Sequence, residues 1–188
     1  MDRGHSVTAF VRSAERLKPF GNQIVTQQGD LLNPAELEYA FGGHDAVISA
    51  FGPRVPVAKT DADLLQRFAT AVTKAMSGSG VRRVIVESVA FLFKDSIFPP
   101  AYLLGRFFFP GTVADAGAME HIFAQSRLDW TIVRPPELVN KPYSGKYRLL
   151  EGRLPRFGFK ISRADVAEFM IQAAENHSST GKIFGIAD

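Results

Sequence analysis

At 188 residues, with 46% apolar and 22% charged side chains, the sequence has the makeup of one soluble globular domain large enough to bury a single core. It contains no cysteine, which excludes disulfides and thiolate metal sites, and His5, His44, His121 and His177 are too scattered to suggest another metal centre. The net charge of +3 and the pI near 9.3 reflect a basic excess between Lys141 and Arg163, where only Glu151 opposes Lys141, Lys146, Arg148, Arg153, Arg156, Lys160 and Arg163.

The first element is expected between Gly4 and Ser13, where Val7, Thr8, Phe10 and Val11 form a short β-branched and aromatic run. It reads as a buried strand ending on Arg12, with Ser13 to Leu17 as the first turn of a helix. Ligands of open α/β sheets bind at the carboxyl edge of the strands, and an arginine there favours the 2′-phosphate of NADP, which makes Arg12 and Arg16 cofactor candidates. A solvated strand-end cation is the competing reading. Gly4 resembles the residue that closes a helix.

Asn22 to Gln28 reads as a second strand, stopped by Gly29-Asp30. Asn33 followed by Pro34 is a cap and a favoured first helical residue, so a helix is predicted to about Phe41, with Gly42-Gly43 ending it. Asp45 to Ala50 is a strand and Phe51-Gly52-Pro53 a break. From Asp61, the apolar spacing of Leu64, Leu65, Phe68, Ala69, Val72, Ala75 and Met76 predicts a long helix that closes at Ser77 to Gly80. Val81 to Ser88 holds a continuous apolar centre, Val84-Ile85-Val86, as expected of a central strand covered on both faces.

Eleven aromatic and aliphatic residues between Phe91 and Phe109 crowd a stretch broken by Pro99 and Pro100. Lys94, Asp95, Arg106 and the prolines rule out a membrane span. Core packing, an interfacial patch, and a wall over a flat aromatic substrate that includes Phe91 and Tyr102 all remain open. Beyond it come a helix from Ala114 to Ser126, a strand from Leu128 to Arg134 ended by Pro135-Pro136, and a short strand at Tyr147 to Leu150. A helix capped by Ser162 and a strand from Lys182 to Ile186 complete the series. Strands alternating with helices predict a single α/β domain over 1–188 with a mostly parallel, doubly wound, Rossmann-like sheet.

Gly29-Asp30-Leu31, Asp45 to Ser49, Gly80 to Val86, Leu128 to Pro136 and Ile161 to Ala167, in this order, resemble the NAD(P)H-binding branch of the atypical short-chain dehydrogenase/reductases. The likeness is to the NmrA-like group, of the biliverdin reductase B and NADPH-flavin reductase type. It runs from Gly4 to the C-terminus and includes Ser88 to Phe93 and Tyr143 to Tyr147. The resemblance implies that Arg12, with Arg16, meets the 2′-phosphate of NADP(H), and that Asp30 and Leu31 hold the adenine. It places Ala50, Phe51 and Gly52 along the cofactor, Ser88 near the nicotinamide as the catalytic hydroxyl candidate, Pro135 at the cofactor where the turn begins, and Pro136 and Glu137 at the border of the substrate pocket.

The sequence departs from that pattern at Val89, where the flavin-reductase type has a serine, and it lacks the Tyr-x-x-x-Lys pair of ordinary short-chain dehydrogenases. Relatives also open with a strand, a glycine-rich turn and a helix of roughly twenty residues. Only three residues precede Gly4, so that unit is expected to be missing, and the chain alone is expected to bind NADPH weakly or not at all and to be impaired as an enzyme. Its strand would sit between those at Val7 and Val47, leaving their facing edges to close up, pair with another chain or lie exposed.

The resemblance implies an NAD(P)H-dependent oxidoreductase passing hydride to a flat conjugated small molecule. The alternatives are a non-catalytic, dinucleotide-binding redox sensor, and an interaction domain using the Phe-rich patch. The basic excess fits a solvated face or an anionic substrate. Nucleic-acid and membrane partners are not expected, and a cytoplasmic location is.

Overall fold

The computed structural model describes residues 3–52, 62–93 and 110–188. In chain order these form β1 (Thr8–Val11), β2 (Val25–Gln28), α1 (Pro34–Phe41), β3 (Ala46–Ser49), α2 (Leu64–Ser79), β4 (Arg83–Glu87) and α3 (Pro110–Gln125). Then follow β5 (Asp129–Arg134), β6 (Glu137–Val139), β7 (Arg148–Glu151), β8 (Lys160–Ser162), α4 (Arg163–Glu175) and β9 (Lys182–Ala187). Asn33 caps α1 by accepting from the Ala35 amide, and Ser162 caps α4 by accepting from the Asp165 amide. Gly80, at φ 79°, closes α2 in the left-handed conformation that glycine adopts without a steric cost.

A five-stranded sheet in the order β3-β4-β5-β9-β7 is parallel except for β7 at its edge. As the apolar run predicted, β4 is covered twice. Val84 and Val86 join α1, α2 and α3 through Leu37, Phe68, Val72, Met76, Met119 and Phe123. Ile85, between them, faces Val166, Phe169 and Met170 of α4. Arg83 is the exception in this strand: its guanidinium is buried and donates to the carbonyls of Ala173 and Asp129 and to the hydroxyls of Thr131 and Ser179. Burial lowers its pKa, with Asp129 acting in the opposite direction.

Among the described residues β1 pairs only with β2, in parallel, and it is half-buried rather than the buried strand anticipated. The reason lies on its other side. No ladder joins β1 to β3 among the described residues, so the five-stranded sheet does not continue into the β1–β2 pair. Three further details differ from expectation. The segment after β1 is a 3-10 helix, Glu15–Gln23, bent at Gly21. The second strand is shorter than predicted, because that helix extends to Gln23. β6 and β8, three residues each, form a parallel pair that alternation alone did not reveal. Lys94 to Phe109, and with them Tyr102 and most of the aromatic segment, lie outside the described residues, as does Pro53.

Candidate functional site

Parallel register brings the carboxyl ends of β3, β4 and β5 into one rim. Ser49 stands opposite Val86, and Glu87 opposite Val133, so Ala50, Ser88 and Pro135 emerge side by side. The rim is stitched past the strand ends by Ser88 N donating to Val133 O (2.8 Å) and Ala90 N donating to Pro135 O (3.1 Å). Phe91 follows in the 3-10 turn Ala90–Leu92. Pro135 is buried, Pro136 half-buried and Glu137 exposed, a gradient that leads from core to surface at the rim.

β1 shares this direction. At its start, the Thr8 hydroxyl lies 2.9 Å from His44 Nε2, just before β3. At its end, the Arg12 guanidinium lies over the Phe51 ring, 5.7 Å from the centroid, just after β3. His44 Nδ1 faces the carbonyls of Phe41 and Gly42, so it carries the proton of the neutral ring, and Nε2 accepts from Thr8. Phe51 in turn stacks on Phe68 at 4.4 Å, which fixes the loop Ala50-Phe51-Gly52 beside Arg12.

The turn after β2 reaches the same rim. Gly29 N donates to Val11 O at 3.1 Å, and a Cβ at Gly29 would collide with the Phe10 ring and with Glu36. Asp30 follows, its carboxylate accepting from Leu32 N (2.9 Å) while its own amide donates to Glu36 (2.9 Å). Leu31, Arg12, Ala50 and Phe51 line one cavity of about 350 Å³ between β1 and β3. Arg16 is exposed on the 3-10 helix.

Ser88 is buried and its hydroxyl donates to Glu120 Oε1 at 2.5 Å. Glu120 also accepts from Arg134 Nε (2.9 Å) and Nη2 (2.5 Å), and Arg134 lies 4.5 Å from the Phe93 ring centroid. With its proton committed to Glu120, Ser88 can only accept at the rim. Its neighbour Glu87 projects to the opposite face, where burial pushes its carboxyl above the usual range and the Arg163 charge pulls the other way.

Asp165 joins two sequence motifs that were recognised separately. Its buried carboxylate accepts from Ser162 Oγ (2.6 Å), Ser144 N (3.0 Å), Ser144 Oγ (3.0 Å) and Gly145 N (2.9 Å). Burial alone would raise its pKa, but these hydrogen bonds outweigh it and hold the carboxyl below the usual range.

Sequence reasoning missed Glu120 and Arg134, and also Phe157 and Phe159. Glu137 N donates to Phe159 O at 3.2 Å, which sets this β7–β8 loop against the Pro135–Glu137 end of the rim. Phe157 is 83% exposed and Phe159 63%, beside the exposed Arg156 and Lys160. Phe157 has φ 58°, a left-handed conformation that is strained for a bulky residue, and Gly158 packs too close to Ala187 to admit a Cβ. The non-glycine φ > 0 has no sequence signature, but the run Arg153 to Lys160 within the basic stretch was a visible pointer.

The residues present suit part of a nicotinamide dinucleotide. A guanidinium, an aromatic face and the Asp30-Leu31 turn stand together at one end of the rim, and Ser88 and Pro135 stand further along it. When bound, such a cofactor supplies the hydride. No group of His, Asp or Glu side chains able to hold a metal ion occurs among the described residues.

Known structures share this architecture. A Burkholderia pseudomallei protein described as exported is 28% identical, with 100% of this chain and 89% of that one covered at a TM-score of 0.76. A short-chain dehydrogenase/reductase of Veillonella parvula in complex with NADP is 22% identical, with coverage of 96% and 82% and a TM-score of 0.78. ChuY, an anaerobillin reductase of Escherichia coli O157:H7, is 19% identical, with coverage of 99% and 86% and a TM-score of 0.78. The family model described as NAD(P)H-binding matches residues 1–177, so the chain belongs to the NAD(P)H-binding family, with a fold it shares with short-chain dehydrogenase/reductases.

Proposed function

We propose that the protein is an NADP(H)-dependent oxidoreductase that passes hydride to a flat, conjugated, anionic acceptor such as a flavin nucleotide or a linear tetrapyrrole. The observation that carries this reading is the shared rim, where Arg12 and Phe51 stand at one end and Ser88, Pro136 and Glu137 at the other. Arg12 selects the 2′-phosphate through a charge-assisted contact. Phe157 and Phe159 offer stacking faces, and Arg156 and Lys160 attract carboxylates or phosphate. Rate enhancement then comes from holding donor and acceptor face to face, without a protein proton donor. The Veillonella neighbour's NADP and the ChuY neighbour's reductase activity support the same direction. A cytoplasmic site of action is part of the proposal; among the described residues no helix is long and apolar enough to cross a membrane.

One observation favours a second reading, a dinucleotide-binding redox sensor: the Ser88 proton is held by Glu120, so that hydroxyl is not free to donate to an acceptor. Fluorescence titration with NADPH and NADH, followed by NADPH oxidation with FMN or biliverdin as acceptor, separates the two. Turnover with preference for NADPH supports the enzyme, and binding without turnover supports the sensor. Absence of both binding and turnover overturns each.

A further inference from the structure

A second cavity, of about 840 Å³, lies between α2 and α3 at the amino ends of β4 and β5. Gly80, Val81 and Arg82 lead into β4 there, and Ser126, Arg127 and Leu128 into β5, whereas the cofactor rim stands at the carboxyl ends of the same strands. The length of β4 puts roughly 17 Å between the two places. The walls carry one sign of charge: Lys74, Arg82 and Arg127 line the cavity beside His121, and no Asp or Glu does. All three cations are exposed. Among the described residues Lys74 and Arg127 make no ion pair, and Arg82 reaches only Asp129, at 3.5 Å, while donating to the Arg127 carbonyl at 2.8 Å. Cations gathered in a concave wall focus a positive potential on whatever enters.

The hydroxyls add a second chemical requirement. Thr70, Thr73 and Ser77 stand in a row on the α2 wall, at the spacing that puts side chains on one helix face. Thr70 Oγ1 donates to Gln66 O (3.0 Å), Thr73 Oγ1 to Ala69 O (2.8 Å) and Ser77 Oγ to Thr73 O (2.9 Å). Each has committed its one proton to its own helix, so it can only accept from a ligand. The buried Met76 and half-buried Ile122 supply an apolar surface between the polar groups. A bare phosphate meets the cations but brings few donors for these oxygens, and a bare sugar meets the oxygens but not the cations. We infer that this cavity binds a phosphorylated sugar, free or as part of a nucleotide, with its phosphate on Lys74, Arg82 and Arg127 and its hydroxyls donating to Thr70, Thr73 and Ser77. The volume lies within the range of small-molecule sites. The inference does not rest on the proposed hydride transfer.

The test is a titration of the whole, isotopically labelled protein with ribose 5-phosphate, followed by amide chemical shifts, with ribose and inorganic phosphate as controls. Shifts are expected at residues 70–77, 80–82 and 126–128, saturating with a Kd of about 1 mM or below and at least tenfold tighter than for either control. Lys74→Gln and Arg127→Gln, both at exposed side chains, should each weaken binding by about three- to tenfold. Thr73→Val should weaken ribose 5-phosphate to a similar degree, about threefold or more, and leave inorganic phosphate unchanged. Adenosine 5′-monophosphate distinguishes the two sources: binding tighter than ribose 5-phosphate assigns the cavity to a nucleotide, and equal or weaker binding to a free sugar phosphate, either of which upholds the inference. Four results overturn it: no saturation by about 10 mM, shifts confined to Arg12, Asp30 and Phe51 or to residues 141–163, inorganic phosphate binding as tightly as ribose 5-phosphate, or affinity unchanged in both glutamine variants. Turnover of a nicotinamide is not read, so failure here leaves the proposed activity standing.

Discussion

Removing the Asp165 carboxylate should loosen the C-terminal third of the fold. In Asp165→Ala, four donors lose their acceptor: Ser162 Oγ, Ser144 Oγ and the amides of Ser144 and Gly145. Hydrogen bonds to a charged group contribute roughly 1.5–3 kcal/mol each, but such values do not add within one network. Ser144 and Gly145 are exposed, so water replaces Asp165 for them at little cost, whereas Ser162 is only 3% exposed and stays dry. The net loss is about 3–4 kcal/mol, of which the buried Ser162 hydroxyl and the freed 143–146 turn are the main parts. For a chain of this size that corresponds to a fall of roughly 6–16 °C in Tm. Urea and thermal unfolding by circular dichroism measure it, and limited proteolysis should show new cleavage near Ser144. Asp165→Asn, which keeps one oxygen acceptor, should lose about half as much.

The pH dependence has a definite sign. Asp165 has a lowered folded-state pKa, so its contribution is present in full above the ordinary carboxyl range and disappears as pH falls through the lowered value. The gap between the native protein and Asp165→Asn should hold above about pH 5 and close in more acidic solution. A Tm loss under about 3 °C for the alanine variant, or a gap that widens in acid, would refute the reasoning.

Arg12→Ala should weaken NADPH binding by roughly 10- to 100-fold while changing NADH affinity less than about twofold, as read by fluorescence titration. Glu120→Ala should destabilise by about 3–5 kcal/mol in urea unfolding, because it strands the partly buried Arg134 guanidinium and the buried Ser88 hydroxyl together. Glu87 has a raised folded-state pKa, so the native state holds its proton more tightly than the unfolded chain, and stability declines as pH rises through that window; Glu87→Gln should remove this slope and be the more stable form at neutral pH. Phe157→Gly should stabilise the fold by about 0.5–1 kcal/mol, since it relieves the left-handed backbone and gives up little burial, yet raise the KM for a flavin acceptor.

What the sequence revealed and what it concealed divide along physical lines. Periodicity locates β4 and α2 because a strand buried twice must be apolar throughout, and a helix against a sheet must repeat its apolar face. The caps at Asn33 and Ser162 are legible because they satisfy local amides with their own side chains. The pairing of β6 with β8 is not, since three-residue strands leave no period to read. Glu120, Arg134 and Ser88 meet only through the tertiary fold; nothing in the order of residues marks a glutamate in mid-helix as the partner of a strand-end arginine. Phe157 escapes for another reason: ordinary propensity disfavours the backbone it adopts.

The break in the sheet bears on how the molecule moves. Backbone ladders tie Ser88 and Pro135 into a stiff slab, whereas the flap carrying Arg12 and Asp30 is fastened to that slab through side chains: α1 packs on α2, Thr8 bonds His44, Arg12 touches Phe51, and Arg3 and His5 pair with Glu175 of α4. Side-chain joints yield more readily than ladders, so the span between the two ends of the rim is elastic. A dinucleotide laid across it would serve as a strut of fixed length, and its grip on both ends would set the distance between them.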